Sequence, residues 1–316
     1  MIVFKFGGTS VGSSENIKKV AAIINDCSDK KIVVLSAVSG TTNSLVEINE
    51  CLTLDKKEKA ITLINELEFG YHQLIKDLFG SETYYLKAQT FINTKFDEIR
   101  SLATASEKNN KIILAQGELI STHLFQIYQS ELSNDSALIS ALDFMSIDAN
   151  EEPESEKIKS KLNTILTENQ SKTYITQGFI CLNSNNEIDN LKRGGSDYSA
   201  SLIGAAVDAE EIQIWTDIDG NFDFFKLLQN HPNWQDVTLV ISYVGYRTLE
   251  VKMSDVDIDN IDTNKDTNMD KIVFELGENQ VTLTEITISS GKGSRRSRTK
   301  KSRKSSARRS STVQKK

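Results

Sequence analysis

The sequence has no run of 18 apolar residues and only 38% hydrophobic side chains, so no membrane span is expected. Its first residues are not a basic region followed by an apolar stretch, and no export signal is expected. Cysteine is scarce. Cys27, Cys51 and Cys181 are odd in number, widely spaced and without a C-x-x-C, which points to a reduced, cytoplasmic chain. His72, His123 and His231 form no H-E-x-x-H and no cluster with the cysteines, which argues against structural zinc and leaves no evident catalytic histidine. Neither G-x-x-x-x-G-K-[ST] nor a G-x-G-x-x-G after a strand occurs, so the nucleotide loops those patterns mark are excluded. Acid is missing from one place. Residues 291–316 hold twelve of the 37 Lys and Arg and no Asp or Glu, leaving 25 bases against all 44 acids over the rest of the chain. This Ser-Lys-Arg tail is expected to be disordered. It could meet nucleic acid through phosphates, but it lacks the aromatics that stack bases, and a solvated tail is favoured.

What is present starts at residue 2. IVFKFGGTSVG reads as a buried strand (2–6), a Gly7-Gly8 turn, and a helix capped by Ser13 or Ser14 and running to about Cys27. Glycines at 7 and 8 let the backbone approach a ligand, and a strand–turn–helix N-terminus turns free N–H groups toward an anion. Lys5 adds a full positive charge, and the geometry suits phosphate. The bland alternative is a structural turn with a solvent-facing lysine.

At 316 residues the chain can hold two domains. Up to about residue 220, strands and helices alternate. Strands are read at 31–38, 111–115 (KIILA), 173–181 and 211–216. Helices are read at 44–79, 82–108, from Gln116-Gly117-Glu118 to about Ser130, at 156–169, and from near Ser196. Such alternation implies an α/β fold with a mostly parallel sheet covered by helices, with ligands at the carboxyl ends of its strands. The polar clusters Lys5–Ser10, Ser36–Asn43, Gln116–Glu118, Arg193–Asp197 and Thr216–Asp219 are expected at those ends. In LKRGGSDYSA (191–200), Arg193 offers a planar fork for a carboxylate, Gly194 and Gly195 free the backbone, and Ser196 or Asp197 caps the next helix. In IWTDIDG (214–220), Asp217 and Asp219 could orient a lysine, a substrate amine or Mg²⁺. Their plain alternatives are a surface ion pair for Arg193 and turn formation for the acids.

Taken in order, KFGGTSV (5–11), LSAVSGTTN (35–43), QGE (116–118), GF with LKRGGSDYSA (178–200) and WTDIDG (215–220) resemble the catalytic domain of aspartokinases, in the amino-acid kinase family. The resemblance covers about the first two-thirds of the chain. It implies a three-layer αβα fold and ATP-dependent phosphorylation of the β-carboxylate of L-aspartate, the entry step to lysine, threonine and methionine. It further implies that Lys5 binds the transferring phosphate, with Gly7, Gly8 and Thr9 cradling it and Gly194 and Gly195 beside it. Ser36, Thr42, Glu118, Arg193, Ser196 and Asp197 match aspartate-side positions. Among them Glu118 suits the α-amino group, Arg193 the α-carboxylate, and Asp197 joins Lys5 as catalytic. Thr216 and Asp217 match the nucleotide side, and Mg²⁺ is expected with ATP.

After Gly220 the resemblance stops, with no Asp-Pro-Arg loop, lysine-bearing nucleotide segment or ACT domain. The apolar, β-branched run 237–253 instead looks like the last strands of the carboxypeptidase-regulatory-like module of TonB-dependent receptors, and 272–291 is similar to the segment that usually succeeds that module. The expected division is an incomplete kinase-like domain (1–220), a β-rich segment (221–290) and the basic tail (291–316). The β-rich segment has too few strands for an independent sandwich, so its edges must pair with the kinase sheet or fray. A single novel domain is the alternative for 221–290. The acids of 254–271 lack EF-hand spacing, which favours a solvated loop over calcium. Two functions stay open: an aspartate kinase, and a weakly active or non-catalytic chain with a broken nucleotide site. Homo-oligomerisation is left open.

Overall fold

The computed structural model describes residues 1–105, 110–191 and 195–215, and four short strands beyond them. The first half runs β1 (Ile2–Phe6), α1 (Ser14–Asp26), β2 (Lys31–Leu35), α2 (Thr41–Thr53), α3 (Lys57–Leu78), α4 (Glu82–Thr104) and α5 (Asn110–Glu131). Then come β3 (Ser136–Leu138), α6 (Ala141–Phe144), α7 (Ser155–Glu168), β4 (Thr173–Gln177), β5 (Ile180–Leu182), β6 (Ile188–Asn190), α8 (Gly195–Ala206) and β7 (Glu211–Trp215). The outlying strands are β8 (Thr238–Ser242), β9 (Leu249–Lys252), β10 (Lys271–Val273) and β11 (Thr287–Ser289).

Seven strands form one sheet in the order β3-β4-β2-β1-β7-β8-β9, parallel throughout except for the antiparallel β8–β9 pair at the edge. The central strands are apolar runs because both faces are covered. Alternation then sorts their side chains. Val3, Ile32 and Val34 pack with α6, α7 and α8, whereas Phe4, Phe6, Val33 and Leu35 pack with α1 to α5. The result is three layers, helices–sheet–helices. Lys5 shares its face with Val3 and so points toward α8. α1 illustrates the helices: Ser13 Oγ accepts from the Asn16 N–H at 3.2 Å, and Ile17, Val20, Ala21 and Ile24 make one buried stripe.

Several sequence expectations change. KIILA (111–115) belongs to α5 rather than to a strand, so Gln116–Glu118 sit within a helix and not at a strand end. α5 buries residues around its whole circumference, among them Ile113, Ala115, Ile120 and Leu124. A helix with so little polar face loses the 3.6-residue signal that separates it from a buried strand. The long helix expected over 44–79 is two, broken where Asp55 turns left-handed at φ 56°. The run 173–181 is likewise two strands, parted at Gly178 and Phe179, the latter at φ 67°. α8 starts at Gly195, so Ser196 and Asp197 lie in its first turn instead of capping it. β8 pairs in parallel with β7, Ile212 opposite Leu239 and Trp215 opposite Ser242, and thereby widens the main sheet. Arg193, Gly194, Thr216, Asp217, Asp219, the acidic stretch as far as residue 270 and the tail 291–316 lie outside the described residues. No described helix is long and apolar enough to cross a membrane.

Candidate active site

Where β1 and β2 end, four backbone segments and one helix close around a cleft of about 590 Å³. The turn after β1 contributes Gly7, Gly8 and Thr9. The loop after β2 contributes Ser36 to Gly40 and runs into Thr42 and Asn43 of α2. Phe179 follows β4, and Gly195, Ser196 and Asp197 open α8. Glu118 enters from α5, and Lys5 closes the floor as the one basic side chain among the described lining residues.

Lys5 is 6% exposed, and its Nζ lies 2.6 Å from Asp197 Oδ1. That oxygen accepts no aligned hydrogen bond, so the contact is a charge pair. The first-turn position of Asp197 adds the favourable field of the helix N-terminus. The Gly7 N–H donates to Trp215 O (3.2 Å), carrying the β1–β7 ladder one step into the turn. At Gly8 a Cβ would stand 2.9 Å from the Ala37 carbonyl oxygen, a backbone atom that cannot yield, so the two loops close only over glycine. The Ser39 N–H donates to Gly8 O (3.1 Å) and locks that approach.

The second wall joins β2 to α8. Ser36 Oγ and Ser196 Oγ are 2.7 Å apart, one donating to the other across the cleft. Gly40 takes a left-handed turn (φ 83°) to start α2 without a side-chain cap, leaving first-turn N–H groups near Thr42. Thr41 is held from behind by Tyr71, whose hydroxyl lies 2.9 Å from Thr41 Oγ1.

Glu118 is 4% exposed. Its Oε1 accepts from the Ala37 N–H at 3.4 Å, and its Oε2 has no hydrogen-bond partner. Burial pushes its carboxyl up to about 7, because the charged form has lost its water and gained no cation. The cleft therefore offers glycine-rich backbone turns over an ammonium at one end and, among the described residues, a carboxylate without a counterion at another.

Of the residues singled out from sequence, Lys5, Gly7, Gly8, Thr9, Ser36, Thr42, Glu118, Gly195, Ser196 and Asp197 come together here. Sequence reasoning left out the Ala37 N–H and the Phe179 backbone, although both lie inside motifs it had marked. A backbone donor and a phenylalanine at positive φ have no side-chain signature.

A sequence profile described as the amino acid kinase family matches residues 1–226. The aspartokinase of Chlamydia pneumoniae is 33% identical over 69% of this chain and 48% of its own length. The bifunctional aspartokinase/homoserine dehydrogenase of Buchnera aphidicola is 30% identical over 70% of this chain and 29% of its own. The structure of E. coli aspartokinase III in complex with lysine and aspartate (T-state) aligns with TM-score 0.60 and 28% identity, over 69% of this chain and 49% of that one. The same enzyme in complex with aspartate and ADP (R-state) aligns with TM-score 0.62 and 25% identity, over 77% and 62%. The chain thus spans half or less of the length of these curated relatives.

Proposed function

The chain belongs to the amino acid kinase family, and from that premise we propose that it transfers the γ-phosphoryl group of ATP to the β-carboxylate of L-aspartate. The observation that carries this reading is one cleft holding a buried ammonium under glycine turns and a buried carboxylate without a cation among the described residues. The β-carboxylate is the nucleophile: its oxygen forms a bond to the γ-phosphorus as the bond to the ADP oxygen breaks. It is already ionised at neutral pH, so no general base is required, and the site must instead cancel the repulsion between two anions. Lys5 and the N–H groups of Gly8 and Thr9 do this for the phosphoryl group, with Gly7 letting the turn approach and Asp197 holding the ammonium in place. Glu118 takes the α-amino group, whose charge supplies its missing counterion. Ser36, Thr42 and Ser196 donate hydrogen bonds to aspartate oxygens. The proposal also keeps the roles the family resemblance implies outside the described residues: Arg193 on the α-carboxylate, Gly194 beside the phosphate, and Thr216 and Asp217 toward the nucleotide.

No group of three or more His, Cys, Asp or Glu that could hold a metal occurs among the described residues. Mg²⁺ would come bound to the ATP phosphates, where it offsets charge on the transferring group. For the division of the chain, the family match ending at residue 226 supports a kinase-like part closing near 220. The parallel pairing of β8 on β7, with β9 beside it, supports these two strands adding to this sheet rather than standing in a separate sandwich, while β10 and β11 pair with each other.

A second reading is a weakly active chain that keeps the aspartate half-site but binds ATP poorly. It is favoured by the family match stopping at residue 226 while the chain continues in sequence unlike the family. A coupled assay with aspartate, ATP and Mg²⁺, run beside calorimetric titration of each ligand, separates the two. Turnover with both ligands binding supports the kinase. Aspartate binding without ATP binding supports the half-site. Absence of aspartate binding overturns both.

A further inference from the structure

Behind Glu118 lies a buried polar chain whose hydrogen bonds can run in one direction only. The Ala141 N–H, at the start of α6, is a donor and nothing else, and it meets Gln177 Oε1 at 2.8 Å. That fixes the amide: Gln177 Nε2 must face the other way, where it donates to Thr122 Oγ1 at 2.7 Å. The Thr122 hydroxyl, having accepted, directs its own proton to Glu118 O at 2.8 Å, with a weaker branch to Leu119 O at 3.3 Å. Gln177 is 2% exposed and Thr122 is fully buried, so no water competes for these bonds.

The chain joins the two walls of the cleft. Gln177 is the last residue of β4, level with Leu35 at the end of β2. The next residue, Gly178, packs so closely on Ser196 that a Cβ would come within 2.3 Å of the Ser196 Cβ. Phe179 then donates its N–H to Ser199 Oγ at 2.8 Å. One strand end thus grips α8 through its backbone and α5 through its side chain. On the cleft side, the hydrogen bond that Glu118 itself makes is the 3.4 Å contact from the Ala37 N–H, beside the close packing of Gly117 on Ala37, Thr41 and Leu45. The tighter tether is the one through Thr122.

We propose that Gln177 and Thr122 are positioning residues that fix the distance between the Glu118 carboxylate and the Ser196–Asp197 wall, and so the length of amino acid the cleft accepts. The proposal rests on the reading of Glu118 as the amine anchor. Cutting the tether lets α5 shift and the span change, which weakens aspartate and narrows its advantage over glutamate, longer by one methylene.

The test is calorimetric titration of the full chain with L-aspartate, L-glutamate and ATP, with thermal melting in parallel. Thr122→Val keeps the shape and removes the hydroxyl. Gln177→Met cuts the same link from the strand side and carries the test should the valine variant not fold. Thr122→Ser keeps the hydroxyl and serves as the rescue. Expected is about tenfold weaker aspartate binding in the valine and methionine variants, with a smaller aspartate-to-glutamate ratio, unchanged ATP binding and near-normal affinities in the serine variant. Wild-type aspartate affinity in the valine and methionine variants overturns the proposal. So does an equal loss for aspartate and ATP that follows the melting temperature, or a serine variant as weak as the valine one. Wild-type protein that binds no aspartate at all overturns the underlying reading of the cleft instead.

Discussion

Two buried charges face the same cleft and are treated in opposite ways. Lys5 has its counterion within the fold, Asp197 at 2.6 Å, on the first turn of a helix that favours a carboxylate. Glu118 has none among the described residues: one oxygen accepts from a single backbone N–H and the other has no hydrogen-bond partner there. Pairing lets an ammonium stay charged inside a protein before any ligand arrives, whereas a lone carboxylate there costs folding free energy until a cation comes. The Lys5 end is therefore preorganised and the Glu118 end is poised for a cation, and the second should leave a mark on stability and pH dependence.

The largest expected effect comes from removing the paired charge. Lys5→Met takes away the cation at the phosphate cradle and strands Asp197, and should lower turnover by about a thousandfold or more. Steady-state assay with circular dichroism to confirm folding checks it, and an active variant would return Lys5 to the role of a structural ion pair.

Next is the unpaired charge. Glu118→Gln should weaken aspartate binding roughly a hundredfold, since a charge-assisted contact is lost. The same variant should melt higher than wild type at pH 8. Glu118 titrates near 7 in the fold against 4.5 as a free carboxyl, so the native state holds the extra proton between those values. Its contribution to stability is full below 4.5 and is lost as pH rises through 7. Glutamine removes that loss. Calorimetry and melting curves on one sample give both readouts, and a variant that melts lower at pH 8 breaks the contrast between the two charges.

A third expectation needs no mutation. An α-ammonium group pairs with the ionised carboxylate, so aspartate affinity should fall about tenfold per pH unit below 7 and level off above it. A flat profile between pH 5.5 and 7 in calorimetric titrations would remove the amine from Glu118. The smallest effect is expected at Ser196→Ala, which deletes one neutral hydrogen bond to Ser36 and should weaken aspartate only about three- to tenfold, with little change in melting temperature.

Both charges were visible in the sequence, but their difference was not. Lys5, at the end of a β-branched run before two glycines, announced its place, because strand parity and glycine chemistry are local. Glu118 was marked from its motif and read at the start of a helix, but at the end of a strand that does not exist, so its depth inside α5 was missed. The apolar KIILA before it is short and β-branched, and α5 has almost no polar face to reveal its period. The sheet and its parallel sense followed from the alternation of elements. The breaks at Asp55 and Phe179 did not, since a left-handed residue other than glycine depends on what surrounds it. Gln177 and Thr122 are equally silent as letters, because their role consists of a hydrogen-bond direction set by three separate elements.

The order in which the chain is made bears on the same site. β1, which carries Lys5, finds β2 soon after it, but its other neighbour, β7, begins at Glu211, and the ammonium of Met1 is tied at 2.8 Å to Glu210. Until synthesis passes residue 215, the second residue of the chain has no partner on that side, and the strand bearing Lys5 stands as an open border of a half-built sheet. Pairings across such a sequence span form slowly. The turn after β1 is thus completed late, and a ribosome that stalls before Trp215 leaves behind a sticky edge instead of a finished cleft.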